Sequence, residues 1–194
     1  STDAQADLYI VDNSGAVAIS ASGDNLLFQN TNSQTERMRI NSSGYVTKSN
    51  QPAWFAYGGA GWNTINAGGT ATVDFGNAAT NVGSHYNTGN GKFTCPVTGH
   101  YLVNFHIYSE NKEDNTSTNT TNYATARINI NDVNQSTTIV LLHFGGTGSE
   151  DSSYQWSGVM HLAANDHIRV VYHSYGDNHA YYGTHSSFSG YLLG

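Results

Sequence analysis

Three observations predict an all-β protein in two parts, with short hairpins over residues 1–50 and an antiparallel two-sheet sandwich over residues 51–194. The first is composition: 22 Asn, 20 Ser, 20 Thr and 21 Gly stand against 9 Leu, 4 Glu and 3 Lys in 194 residues. That balance removes most strong helix formers and supplies strand and turn residues. The second is an internal repeat near the start of the chain. The third is a sustained apolar/polar alternation after Gln51, the signature of half-buried strands. With 38% hydrophobic residues, including 13 Tyr, 7 Phe and 3 Trp, the chain can bury a core, which disfavours disorder.

In the first part, Val11-Asp12-Asn13-Ser14-Gly15-Ala16-Val17 returns as Ile40-Asn41-Ser42-Ser43-Gly44-Tyr45-Val46, an offset of 29 residues. Each copy sets an Asx/Ser/Gly turn between β-branched residues, as a tight hairpin requires. Between the copies, Leu26-Leu27-Phe28 and Met38-Arg39-Ile40 flank a polar stretch and predict a looser hairpin. Two-stranded elements are marginal in water and need another layer. Copies of the chain around an axis would supply it, forming a slender β shaft; a solvated linker is the competing reading.

In the second part, Tyr101, Val103, Phe105 and Ile107 fall on one face of a strand, with Asn104, His106 and Tyr108 on the other. Ile168, Val170 and Tyr172 alternate with His167, Arg169 and His173 in the same way. Residues 138–144 are apolar on both faces, as expected of a strand pressed between the core and a neighbouring subunit. Further strands are predicted over 52–57, 70–75, 123–131, 154–163 and 188–193, giving roughly ten in a two-sheet fold.

Two resemblances follow from these segments. Phe28-Gln29-Asn30, Glu36-Arg37-Met38-Arg39-Ile40 and Ser42-Ser43-Gly44 resemble a repeat of bacteriophage tail fibres, although Thr47-Lys48-Ser49 stands where that pattern continues with Gly-Ile-Gly. Pro52-Ala53-Trp54-Phe55-Ala56, His85-Tyr86-Asn87, Gly91-Lys92-Phe93-Thr94-Cys95-Pro96-Val97, Gly99-His100-Tyr101, Asn165-Asp166-His167-Ile168 and Phe188-Ser189-Gly190-Tyr191-Leu192-Leu193 are similar to the globular head of complement component 1q. This second resemblance covers about residues 51–194 in order. It implies a ten-strand jelly roll of the tumour necrosis factor type, assembled as a homotrimer, with Cys95 on a strand as a buried, reduced thiol. Family members often carry Asp where Asn87 stands, and an amide is a weaker ligand for calcium than a carboxylate, so calcium is not indicated. No collagen-like Gly-X-Y period precedes the head.

Several functions are disfavoured. A net charge of −7 with no Lys/Arg run argues against nucleic acid, and no apolar stretch nears the roughly 20 residues that cross a bilayer, so no membrane insertion is expected. No Gly-x-Ser-x-Gly elbow or phosphate loop occurs. No enzyme activity, cofactor or metal site is therefore expected. His161, His167, His173, His179 and His185 are spaced six apart but span different elements, which makes a shared metal site a coincidence of numbering. Strand parity places the long connections 110–122, 145–153 and 175–183 at one end, away from the C-terminus, while 132–135 and 164–166 are short. Receptor contact is expected at those loops. Tyr175, Asp177, Asn178, His179, Tyr181 and Tyr182 form the candidate centre, and Asn115, Asn119, Glu150, Asp151 and Tyr154 the rim. Packing of Tyr181 and Tyr182 at a subunit interface is the alternative. The expectation is a non-enzymatic, homotrimeric tip of a phage tail fibre, on the virion, that attaches to a bacterial surface glycan or outer-membrane protein. A secreted complement-like or extracellular glycan-binding module and a tail-fibre polysaccharide hydrolase are the competing functions.

Overall fold

The computed structural model describes residues 5–31, 33, 35–111, 123–135, 140–143 and 151–194, in two units, Ser1–Gln51 and Pro52–Gly194. The first is one antiparallel meander of β1 (Gln5–Val11), β2 (Ala16–Ser22), β3 (Asn25–Asn30), β4 (Glu36–Ile40) and β5 (Val46–Thr47), each strand beside the next. The repeated segment closes a hairpin in both copies through an Asx side chain, with a loop one residue longer in the second. Asp12 Oδ1 accepts the Ser14 and Gly15 amides at 2.8 Å each, and Asn41 Oδ1 accepts the Ser43 and Tyr45 amides at 3.0 and 2.9 Å. In the second copy Gly44 takes a φ of +82°, a left-handed conformation that favours glycine. The looser hairpin pairs Leu26 with Ile40 and Phe28 with Met38, with a bulge after Phe28. Among the described residues only Ala18 and Leu27 are buried hydrophobics here, while Leu8 is 60% and Val11 70% exposed.

The second unit contains β6 (Ala53–Tyr57), β7 (Trp62–Ile65), β8 (Thr70–Thr72), β9 (Asn77–Asn81), β10 (Tyr86–Asn87), β11 (Lys92–Thr94), β12 (Gly99–Asn111), β13 (Tyr123–Ile130), β14 (Val133–Asn134), β15 (Val140–His143), β16 (Asp151–Leu162), β17 (His167–Tyr175), β18 (His179–Tyr182) and β19 (Ser187–Leu192). One sheet runs β9, β6, β19, β12, β16. In it β18 continues along the β12 edge where β19 leaves off, and β7 pairs outside β18. The other sheet centres on β17 and β13, flanked by β11 with β10, and by β8, β14 and β15. All pairings are antiparallel, and the two sheets make a jelly-roll sandwich.

The predicted alternation sets the core. Tyr101, Val103, Phe105 and Ile107 of β12 point inward, as do Ile168, Val170 and Tyr172 of β17. Trp54 stacks on Phe93 with ring centroids 3.8 Å apart and meets Phe188 edge-on. This explains the Phe188-Ser189-Gly190 segment: a Cβ on Gly190 would come within 2.4 Å of the Trp54 ring and 2.5 Å of the Leu102 carbonyl. Of the strand expected over 70–75, only Thr70–Thr72 is regular, though Val73 and Phe75 are core members. Of residues 138–144 the structure describes the backbone of β15 alone, so the two-faced packing expected there lies outside the described residues. Cys95 follows β11 directly and is buried, with its amide on the Asp166 carbonyl at 2.8 Å. Chain start and chain end of this unit lie side by side, since the Leu192 amide donates to the Pro52 carbonyl at 3.0 Å.

Candidate functional site

Register brings the flanks of the predicted loops to one end of the sandwich. Glu110 pairs with Asp151, Asn111 with His179, and Tyr123 with Tyr175. Asn115, Asn119 and Glu150 lie outside the described residues. A connection that the sequence reading passed over joins this end: the Ala67 amide donates to Asn178 Oδ1 at 2.9 Å, and the Gly68 amide to the Ser174 carbonyl.

The candidate centre does not form one surface. Residues 179–182, read as loop, are strand β18, whose parity alternates. His179 is fully buried and Tyr181 is 2% exposed. Tyr181 Oη accepts the Asp74 amide at 2.9 Å. His179 Nδ1 meets Ser174 Oγ at 2.6 Å, and burial holds its pKa below the ordinary histidine value, favouring the neutral ring. These two side chains belong to the core and offer nothing to a receptor, which corrects that part of the expectation. The neighbours split between the sheets. Tyr175 ends β17, stacks on Tyr123 (centroids 4.4 Å apart) and meets His173 edge-on (3.9 Å), whereas Tyr182 faces outward from the other sheet. Asp177 and Asn178 occupy the turn between them, and Tyr154 packs against the core.

Around Tyr182 the structure gathers aromatic groups that sequence reasoning missed. Trp62, 37% exposed, meets Tyr182 edge-on at 5.1 Å and stacks on Tyr108 at 5.7 Å, while His185 approaches Tyr182 at 4.6 Å and Tyr108 at 5.2 Å. Tyr108 Oη donates to Asp151 Oδ2 at 2.7 Å, a bond that raises the phenol pKa. Flat rings with an adjacent carboxylate can stack on the C–H face of a sugar and accept its hydroxyls. The parity of Tyr108 was readable in the sequence. Its approach to Trp62 depends on the pairing of β7 with β18, which no local pattern announces.

A second polar constellation sits on the outward face of the β17/β13 sheet. Asp132, at the β13–β14 turn with φ +67°, draws Arg169 Nη2 to 2.9 Å, Lys92 Nζ to 3.2 Å and His167 Nε2 to 3.4 Å. Lys92 first, then His167 and Arg169, hold the Asp132 pKa below the usual carboxylate range. The evenly spaced histidines disperse accordingly. His161 faces His100 on the β12/β16 sheet, His167 and His173 lie on the other sheet, His179 is in the core, and His185 joins the aromatic cluster.

A family model of the C1q domain matches residues 60–193. Among solved structures, the globular domain of zebrafish complement 1qA protein shares 20% identity over 74% of this chain and 98% of its own, with a TM-score of 0.44. The tumour necrosis factor protein Eiger of S. frugiperda shares 17% identity over 74% of this chain and 93% of its own, with a TM-score of 0.54, a likeness of fold. No curated protein sequence matches the chain.

Proposed function

The chain belongs to the C1q domain family, and from that premise we propose that it is a non-enzymatic binding module, the trimeric receptor-binding tip of a bacteriophage tail fibre. The observation that carries this reading is the N-terminal meander. Its β1 strand is exposed along its whole length, Leu8, Tyr9, Ile10 and Val11 included, and so few buried apolar residues cannot hold five strands on their own. Further copies of the same strands would cover these side chains, and residues 26–46, which contain the second copy of the turn, resemble a phage fibre repeat. On the head, the outward face of the β12 sheet carries Phe55, Tyr57, Val159 and Tyr191, exposed and mixed with Asn104, Ser157 and Ser189. We assign this part of the face, away from the Trp62, Tyr108 and Tyr182 cluster at the loop end, to contact between subunits.

Receptor contact then falls to the loop end, at Tyr175, Asp177, Asn178, Tyr182 and Asp151, with Trp62 and Tyr108 added. Three weak contacts on one trimer reinforce each other through effective concentration. The purified chain should compete with phage adsorption across a panel of bacterial strains, and Trp62→Ala should weaken the competition. Full competition by that variant would move receptor contact away from this cluster. Absence of competition on every strain would favour the secreted, complement-like alternative, and release of reducing sugar from host polysaccharide the hydrolase.

A further inference from the structure

The outward face of the β17/β13 sheet holds a hollow of about 370 Å³ lined by Thr70, Thr72, Arg127, Asn129, Asn134 and Arg169, within the size range of small-molecule sites. Register explains how it is built. Asn134, Asn129 and Arg169 form one row across β14, β13 and β17, and Arg127, Val171 and Thr72 form the next across β13, β17 and β8. All these residues share the face opposite the core.

Its charge is unusual for this chain. Against 14 Asp+Glu there are 7 Lys+Arg, and the cations of the head among the described residues, Lys92, Arg127 and Arg169, all lie on this face. Arg127 makes no ion pair among the described residues. Asn129 is only 6% exposed, yet its Oδ1 and the Nε atoms of Arg127 and Arg169 are buried without a hydrogen-bond partner among the described residues. Sheets seldom leave such groups unused, because each unmatched buried polar atom is costly.

We propose that this hollow binds an acidic sugar, a pyranose whose carboxylate is taken by Arg127 and Arg169. Guanidinium groups match a carboxylate in a bidentate fork. The carboxylate of Asp132 at the edge disfavours a bare anion, whereas sugar hydroxyls can donate to it, to Asn134 and to the threonine oxygens. The site lies on a different sheet from the Trp62, Tyr108 and Tyr182 cluster, and it stands whether or not the chain is a fibre tip.

The full chain is titrated with glucuronic acid, glucose and sodium sulfate, with binding followed by calorimetry and saturation-transfer NMR. Glucuronic acid should bind at least about tenfold more tightly than either, and more weakly as salt rises. Arg127→Gln should lower its affinity about tenfold or more, the loss expected for one charge-assisted hydrogen bond. Asn134→Ala, at an exposed edge strand, tests the hydroxyl contacts without touching the core and should lower the affinity severalfold. Equal affinity for glucuronic acid and glucose would overturn the proposal, and so would sulfate binding as well as glucuronic acid, which would mark an anion site only. Unchanged affinity in both variants would overturn it too.

Discussion

Tyr181 and Tyr182 show how much one step along a strand decides. The first is packed beside Tyr172 in the core and the second is half-exposed beside Trp62. Tyr181→Ala should therefore cost about 3–5 kcal/mol of stability, as for other buried aromatic truncations. Tyr182→Ala should leave the urea midpoint nearly unchanged and lower receptor affinity by about 1–3 kcal/mol. Composition alone could not separate the two, because a run of aromatic and polar residues reads as loop until its pairing partner, here Trp62–Ile65, is known. Cys95 was easier to read. Burial, with a smaller push from the Asp166 carboxylate, moves its thiol from 9.0 up to about 12. A raised folded-state pKa stabilises the fold fully below pH 9.0 and loses that contribution as pH climbs through about 12. Thiol labelling should accordingly be slow in the native chain at pH 8 and fast in urea, and denaturation midpoints in the wild type should fall over that window more than in Cys95→Ala. Rapid labelling of the native protein would place the thiol at the surface instead.

Among the elements, β12 and β17 were legible because long strands with one buried face impose strict alternation, and their inward residues are those the pattern names. The short strands β7, β9, β10 and β11 were not. They run from two to five residues through Gly- and Asn-rich sequence, too short for a period to register, and they are strands because a neighbouring strand distant in sequence or itself short offers an edge. The same dependence hid the aromatic cluster and the arginine hollow, each assembled from three or more strands distant in sequence. Close approach between strands also sets limits on substitution. Gly190→Ala should destabilise the head by about 1–3 kcal/mol, because the new methyl meets both a backbone oxygen and the Trp54 ring. Pairing it with Trp54→Leu should recover part of that loss, measured by chemical denaturation of both variants. No recovery would mean that the Leu102 carbonyl, and not the ring, sets the limit.

For the whole molecule, further copies of the chain cover the exposed β1 strand and the mixed outward face of the β12 sheet under the proposed function. Light scattering at micromolar concentration should report about three times the chain mass of 20.9 kDa. A monodisperse monomer would remove both the shaft and the subunit interface from the proposed function. Tyr191→Glu, at an exposed position on that face, should shift the distribution toward smaller species, since a buried unpaired charge is costly. The hydrogen bond from Leu192 to Pro52 carries a consequence of another kind. A domain whose two ends meet on adjacent strands can be spliced into a surface loop of an unrelated carrier without stretching either seam. Residues 52–194 thus have the layout of a transplantable cassette, and recombination could exchange such a head between stems of quite different construction while leaving its sandwich intact.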